Sequence, residues 1–212
     1  MPTRTSIAIL QVRPAKDSEI APSNFIHFLG SLKSSLKASF WDKLLGRQDT
    51  LSLEIASLNQ TIYFIVACAE HLEQLVKSQL AAQYPDAVIT HMSDYLPTWL
   101  NHSHVSVGQL FLSKPSFLPL KTIADNDTDY MSSVLGVLSR LPAGQAAIIQ
   151  ISLYSIDSSW LSYSRKLITP KLNADGTTTP AHPQKQLIEQ KMVHPGYGVD
   201  IRLASIGPTT AL

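Results

Sequence analysis

The feature that most constrains the fold of this chain is the order in which strand-like and helix-like hydrophobic patterns follow one another. Residues 6–13, 50–56, 61–67 and 87–92 are short stretches of apolar or alternating residues, which predicts four strands. Helical spacing of apolar residues separates the first strand from the second and the third from the fourth. The order predicts the split βαβ of a ferredoxin-like α+β domain, in which two helices cover one face of an antiparallel sheet.

Apolar spacing also predicts which residues of this first unit are buried. The first helix is expected to open at Pro22 and Ser23 and to bury Phe25, Ile26, Leu29, Leu32 and Leu36. The second is expected to bury Leu72, Leu75, Val76 and Leu80. In the second strand the alternation predicts a half-buried strand, with Leu51, Leu53 and Ile55 opposite Ser52 and Glu54. Asn59 and Gln60 predict a tight hairpin turn of undecided type.

The same signals begin again after a polar connector at residues 94–103. Strands are predicted at residues 104–112, 146–154 and 197–205. The helix between the first two is expected to be capped by Asp127, with an inner face of Tyr130, Met131, Val134, Leu135 and Leu138. Short helices at 158–168 and 184–192 flank a mobile loop at 169–183.

These patterns predict a ferredoxin-like unit at residues 1–93 and a second, incomplete one at residues 104–212. The second unit still needs one helix and one strand where the sequence reaches residue 212. Since folded proteins avoid leaving an apolar strand edge unpaired, a truncated chain is the favoured interpretation. The alternative is that the last strand closes a smaller sheet.

Composition narrows the classes of function. Seventeen basic residues balance sixteen acidic ones, so the net charge of +1 provides no general attraction to nucleic acid. The single cysteine, Cys68, excludes an intramolecular disulfide and is expected to be a small buried hydrophobe. No apolar stretch approaches the roughly 18 residues of a membrane-spanning helix, so no membrane insertion is expected and a cytoplasmic location is predicted.

The motif search identifies no chemistry. No glycine precedes a lysine as a phosphate-binding loop requires, and no Gly-x-Ser-x-Gly elbow is present. The acidic run at residues 125–129 lacks the glycine and the bidentate glutamate of a calcium loop, so helix capping explains it better. We therefore predict no catalytic residue, no cofactor-binding residue and no metal ligand.

An interaction surface is predicted on the sheet face away from the helices. Alternation places six residues there: Ile7, Ile9, Gln11, Glu54, Tyr63 and Ile65. One aromatic ring and one carboxylate make a poor platform for stacking RNA bases. Packing against the second unit or a protein partner explains this modest apolar strip more simply.

Several stretches taken together resemble a known domain. They are LSLEIASLNQTIYFIVAC at residues 51–68, LVKSQLAAQYPDAVI at 75–89 followed by DY, LPLKT at 118–122, GQAAIIQISL at 144–153 with Trp160 downstream, and VDIRLAS at 199–205. Their succession is similar to the domain of unassigned chemistry that precedes the motor in conjugation-type, type IV secretion-like DNA-translocating ATPases. In that family the polypeptide continues into further helices and a RecA-like motor.

The resemblance implies a non-catalytic N-terminal docking or assembly module, truncated before the motor. Its implied partners are the motor domain and other subunits of a secretion or DNA-transfer machine, with homo-oligomers formed through the absent motor. The implied location is the cytoplasm, at the inner face of the membrane, and direct contact with DNA is left open. The alternatives are a stand-alone ferredoxin-like protein that binds a peptide or single-stranded nucleic acid and, third, a small hydrolase.

Overall fold

A computed structural model describes residues 6–17, 20–21, 23–36, 48–100, 104–120, 129–193 and 196–207. The predictions for Pro22, for the cap Asp127, for the rest of the acidic run at 125–128 and for the chain end at 208–212 lie outside these residues. By contacts the chain divides into two compact units. The first comprises Met1–Leu110, Tyr130–Ser155 and Gly198–Leu212, and the second comprises Phe111–Asp129 and Ile156–Tyr197.

The first unit is built on a seven-stranded sheet. Its strands are β1 (Ile7–Arg13), β2 (Thr50–Leu58), β3 (Thr61–Ala69), β4 (Val88–His91), β5 (His104–Leu110), β6 (Ala146–Ser155) and β9 (Tyr197–Gly207). They lie in the order β4-β1-β3-β2-β6-β9-β5. Helices accompany the sheet, so the predicted α+β class is confirmed.

The first four strands carry two helices, α1 (Ser23–Leu32) and α2 (Glu73–Gln83), which pack against each other. The neighbouring pairs β4–β1, β1–β3 and β3–β2 are all antiparallel. This order and these orientations are the ones that a split βαβ requires. The sheet does not stop there, because β2 pairs along its whole length with β6. The ferredoxin-like assignment and the unit limits at residues 93 and 104 therefore stay predictions.

The two faces of the sheet are covered differently. One face, here called the helix side, carries Ala8, Leu10 and Val66, which are buried. The opposite face, here called the groove side, carries the alternate residues, such as Ile9 of β1 and Glu54 of β2. A third helix, α3 (Leu96–Leu100), lies in the segment predicted as a connector.

The predicted burial of apolar residues agrees with the structure in α2 and is partly wrong in α1 and in the helix between β5 and β6. Of the residues predicted to be buried in the second helix, Val76 and Leu80 of α2 and Leu72 just before it are buried, and Leu75 is half-buried. In α1 the buried residues are Phe28 and Leu32, whereas Phe25 and Ile26 are exposed. The side chain of Asn24 donates a hydrogen bond of 3.2 Å to the carbonyl of Gln83 at the end of α2. Asn24, Phe28 and Leu32 follow one another at intervals of four residues and therefore lie on the same side of α1. The hydrogen bond from Asn24 to Gln83 orients that side of the helix towards the protein interior.

The helix α4 (Tyr130–Leu138) lies between β5 and β6 in the chain. Its residue Leu138 is buried as predicted, and the carbonyl of Leu138 accepts a 2.9 Å hydrogen bond from the hydroxyl of Ser57 in β2. Met131, predicted on the inner face, is exposed instead. The helix is therefore anchored at its carboxyl end.

Glycine is required where β9 approaches β6. A Cβ on Gly198 would lie 2.1 Å from the ring of Tyr154, so no larger residue fits at this position without displacing that ring. The sequence pattern predicted the strand and contained no signal for this contact.

The second unit contains α5 (Ser159–Ile168), α6 (Lys185–Met192) and a small hairpin of β7 (Lys171–Leu172) and β8 (Thr178–Thr179). The ring of Phe117 packs edge-on against His182 at a centroid distance of 5.3 Å. The two predicted helices are confirmed. The predicted loop at 169–183 contains this short two-stranded ladder, whose residues are exposed.

Across the described residues, the structure has no helix with both the length and the apolar character needed to cross a membrane.

The hairpin between β2 and β3 turns through two left-handed residues, Asn59 at φ 49° and Gln60 at φ 64°. Positive φ at both positions defines a type I′ turn, which prefers glycine second. We expect Gln60→Gly to raise the free energy of unfolding by about 0.5–1 kcal/mol, because glycine relieves the left-handed strain. Urea unfolding measures the change. Gln60→Ala is the control and should not raise the free energy of unfolding. An unchanged urea midpoint for Gln60→Gly would contradict the assignment of a type I′ turn.

Cys68 in β3 is confirmed as a buried thiol, with 2% of its surface exposed. Burial, with a smaller contribution from the Glu73 and Asp49 carboxylates, raises its pKa from 9.0 to about 11. Because the folded value is the higher one, this thiol stabilises the fold fully below pH 9 and loses that contribution between pH 9 and about 11.

We expect native protein at pH 8 to react with Ellman's reagent at least roughly 100-fold more slowly than protein in denaturant, because the thiolate is the nucleophile and this thiol is both protonated and enclosed. Similar rates in the two conditions would show that Cys68 is accessible.

Candidate functional site: a groove on the sheet

A groove of about 780 Å³ lies on the face of the sheet that carries Ile9 and Glu54, in the first unit. Its floor is apolar along β1 and β3, where Ile7, Ile9, Ala67 and Ala69 line it. It becomes polar across β2 and β6, where Ser52, Glu54, Gln150 and Ser152 line it. One wall is the segment from Met92 to Pro97, and Arg202 of β9 also lines the groove.

The centre of the floor is the carboxylate of Glu54, which is buried although alternation predicted a polar, outward position. Three neutral donors bind it. The Ser52 hydroxyl and the Gln150 amide donate to Oε1 at 2.7 and 2.8 Å, and the Tyr95 hydroxyl donates to Oε2 at 2.5 Å. A buried carboxylate needs such donors, because an unpaired charge removed from water costs several kcal/mol.

Strand pairing positions one of these donors. Glu54 and Gln150 are directly opposite in the β2–β6 ladder, so their side chains leave the same face side by side. The polar residues Gln150 and Ser152 interrupt the apolar pattern of β6, and that interruption is the signal that sequence reasoning could have used.

The segment before α3 positions another donor. The side chain of Asp94 accepts a 3.0 Å hydrogen bond from the backbone N–H of Leu96, which starts the helix. Tyr95 is thereby directed onto the sheet and buried against Ala56, Ile65 and Ile148. Burial, followed by the charge of Glu54, raises the pKa of Tyr95, so its hydroxyl stays a donor in neutral solution.

The six predicted surface residues share one face, as the strand registers require, but they do not form one surface. Ile7, Ile9 and Glu54 line the groove, with Ile7 66% exposed. Ile65 is buried in the cluster beneath Tyr95, and Tyr63 packs partly buried against the same cluster. Gln11 lies outside the groove lining, opposite Ile65 of β3 and Thr90 of β4. Whether the face binds a partner stays a prediction.

Sequence reasoning missed the groove wall. The spacing of Tyr95 and Trp99 by four residues after the capping residue Asp94 is a helix signal that the polar connector obscured. Trp99 packs on the same cluster as Tyr95. The wall is therefore held by aromatic packing as well as by the bond to Glu54.

The charges of the groove are mostly negative. Asp49, Glu54 and Asp94 line it against one arginine, Arg202. The carboxylate of Asp49 lies 3.2 Å from Nε2 of His71, at the rim. In the part of the chain that the structure describes, no group of three acidic, histidine or cysteine residues could hold a metal ion. The arrangement is suited to enclosing an apolar or cationic side chain.

The hydrogen bond from Tyr95 to Glu54 gives a direct test of the wall. We expect Tyr95→Phe to lower the free energy of unfolding by about 1.5–3 kcal/mol, because it removes one donor from a buried carboxylate. Urea unfolding at pH 7 measures the loss. Tyr63→Phe is the matched control, since the structure gives the Tyr63 hydroxyl no hydrogen bond to the described residues, and it should be nearly neutral. Equal effects would mean that the bond is not stabilising.

Comparison with known proteins gives a family and no activity. No curated protein matches the chain, and no solved structure matches it. One family model matches residues 2–211, nearly the whole sequence, and its description names neither an activity nor a partner. The resemblance to conjugation-type ATPases thus stays a prediction. The match shows that this chain belongs to the family described as domain of unknown function DUF8128.

Proposed function

We propose that the chain is a non-catalytic docking or assembly module that binds a protein partner through the groove. Following the resemblance in its sequence, we place it in a conjugation-type DNA-translocating ATPase, beside the motor at the cytoplasmic face of the membrane. Its partners are the motor domain or other subunits of the same machine.

The observation that carries this proposal is the exposed apolar end of the groove. Ile7 is 66% exposed there, next to Ile9 and Ala69. Exposed apolar groups bordered by polar ones commonly mark a surface that binds another protein or a ligand. An apolar side chain of the partner is expected to cover Ile7, and backbone or cationic groups are expected to meet the polar end.

Charge supports a protein over a nucleic acid. Three carboxylates, on Asp49, Glu54 and Asp94, line the groove, and phosphates would be repelled by them. Nucleic-acid sites are instead marked by clustered lysine and arginine. A stand-alone peptide-binding protein would use the same groove, so identification of the partner separates the two functions.

The test is a photo-crosslinker placed in the groove. We expect p-benzoylphenylalanine at position 7, incorporated in the native host, to form a covalent adduct with the motor ATPase or another subunit of that machine, identified by mass spectrometry. The same group at Val88, which is exposed on β4 outside the groove lining, is the control and should give no such adduct.

Two outcomes would contradict the proposal. An adduct from position 7 with a protein unrelated to DNA transfer would favour the stand-alone peptide-binding function. Equal adducts from positions 7 and 88 would show that the groove has no special role.

A further inference from the structure

The buried carboxylate of Glu54 is not neutralised by any cation of the described residues. Its three hydrogen-bond donors, from Ser52, Tyr95 and Gln150, are neutral groups. Arg202 is the one lysine or arginine that lines the groove among these residues, and it lies on β9, beyond β6. No ion pair between described residues includes Glu54 or Arg202. The carboxylate is therefore stabilised by dipoles alone.

Glu54 also retains a place for one further donor. The two oxygens of an ionised carboxylate accept about four hydrogen bonds in total. Oε1 of Glu54 accepts two, from Ser52 and Gln150, whereas Oε2 accepts one, from Tyr95. Because Glu54 is part of the groove lining, we expect a fourth donor to come from a group bound in the groove.

The floor of the groove connects its exposed apolar end with Glu54. Ala67 of β3 is directly opposite Ile9 of β1 on one side and Ser52 of β2 on the other. All three line the groove, and the side chain of alanine is a single methyl group, so no larger side chain separates Ile9 from Ser52 along this row. Neighbouring strands are about 5 Å apart, and a step from β3 to β2 is within the reach of the four-carbon stem of a lysine.

We propose that the groove recognises a lysine side chain of its protein partner, with the ammonium group on Glu54 and the aliphatic stem along Ala67. An apolar neighbour of that lysine covers Ile7. The inference rests on the proposed docking function and specifies the chemistry that the partner carries. Charge complementarity supports it, because Asp49, Glu54 and Asp94 place three carboxylates in the groove lining against one arginine.

Lysine fits this site better than arginine. A guanidinium group commonly binds a carboxylate through two parallel N–H groups, one to each oxygen. Oε1 of Glu54 already accepts two hydrogen bonds, so this paired arrangement is not available. An ammonium group donates from a single nitrogen and needs only the place on Oε2. An acidic or phosphorylated segment would be repelled by the carboxylates of the groove.

The test begins with random heptapeptides displayed on phage and selected on the purified full chain. We expect the selected sequences to share a lysine beside an apolar residue, with lysine at least roughly fivefold more frequent than arginine at that position. The chain with p-benzoylphenylalanine at position 7 should form an adduct with the selected peptide. The same group at Val88, outside the groove lining, is the control and should form none.

Peptide variants test the ammonium group without changing the protein. Fluorescence anisotropy measures the dissociation constant of the selected peptide. Norleucine retains the aliphatic stem of lysine without its charge, so we expect this replacement to weaken binding at least roughly tenfold. Replacement of the lysine by arginine should weaken binding at least roughly threefold, because the paired arrangement is blocked.

Glu54→Gln tests the carboxylate. We expect this variant to abolish the difference in affinity between the lysine and norleucine peptides. Glu189→Gln is the matched control, since Glu189 is exposed on α6 outside the groove lining, and it should leave the difference intact. If urea unfolding shows that Glu54→Gln does not fold, Asp94→Asn decides instead. Asparagine also starts helices well, and we expect Asp94→Asn to reduce the difference at least roughly twofold.

The outcomes separate the lysine site from the docking function. Selection of acidic or uncharged sequences, equal binding of the lysine and norleucine peptides, equal binding of arginine, or no selected peptide would each overturn the lysine site. If position 7 still reacts with the transfer machine in the native host, docking stands without it. If the lysine peptide binds as expected and position 7 reacts with no subunit of that machine, the proposed function fails and the groove belongs to a stand-alone peptide-binding protein.

Discussion

The pairing of β2 with β6 is the interaction on which the rest of the first unit depends. Nine residues of each strand are in register, from Thr50 opposite Tyr154 to Leu58 opposite Ala146. This ladder joins two sets of strands into one sheet and brings Glu54 beside Gln150. Because a buried carboxylate must be bonded, the same register that builds the sheet also positions the polar centre of the groove.

The groove exists because a short segment crosses the sheet. Asp94 starts α3, Tyr95 bonds to Glu54, and Trp99 packs on the cluster below. One face of the sheet is consequently divided into a covered part and an open part that contains Ile7. A surface of this kind has a rigid floor and a wall held by few contacts, so a partner can use it without rearranging the sheet.

The two halves of the sheet, β4-β1-β3-β2 and β6-β9-β5, differ in how completely their apolar residues are buried. The first half buries the helix side of β1 and β3, while the second leaves β5, part of β9 and the outer side of α4 exposed. The proposed docking function therefore places a partner where the fold leaves the apolar end of the groove, with Ile7, in contact with water.

The sequence by itself determined the seven strands of the large sheet, their order along the chain and the sharing of faces, because backbone geometry imposes a period of two on strands and three to four on helices. It predicted Cys68 as buried and α2 with its inner face. Only the tertiary structure decided that Glu54 is buried, that Phe28 and not Ile26 points inward, and that residues 94–100 form a wall. Periodicity specifies which residues share a face, whereas burial depends on what packs against that face, and distant segments such as Tyr95 and Gln83 supply that packing.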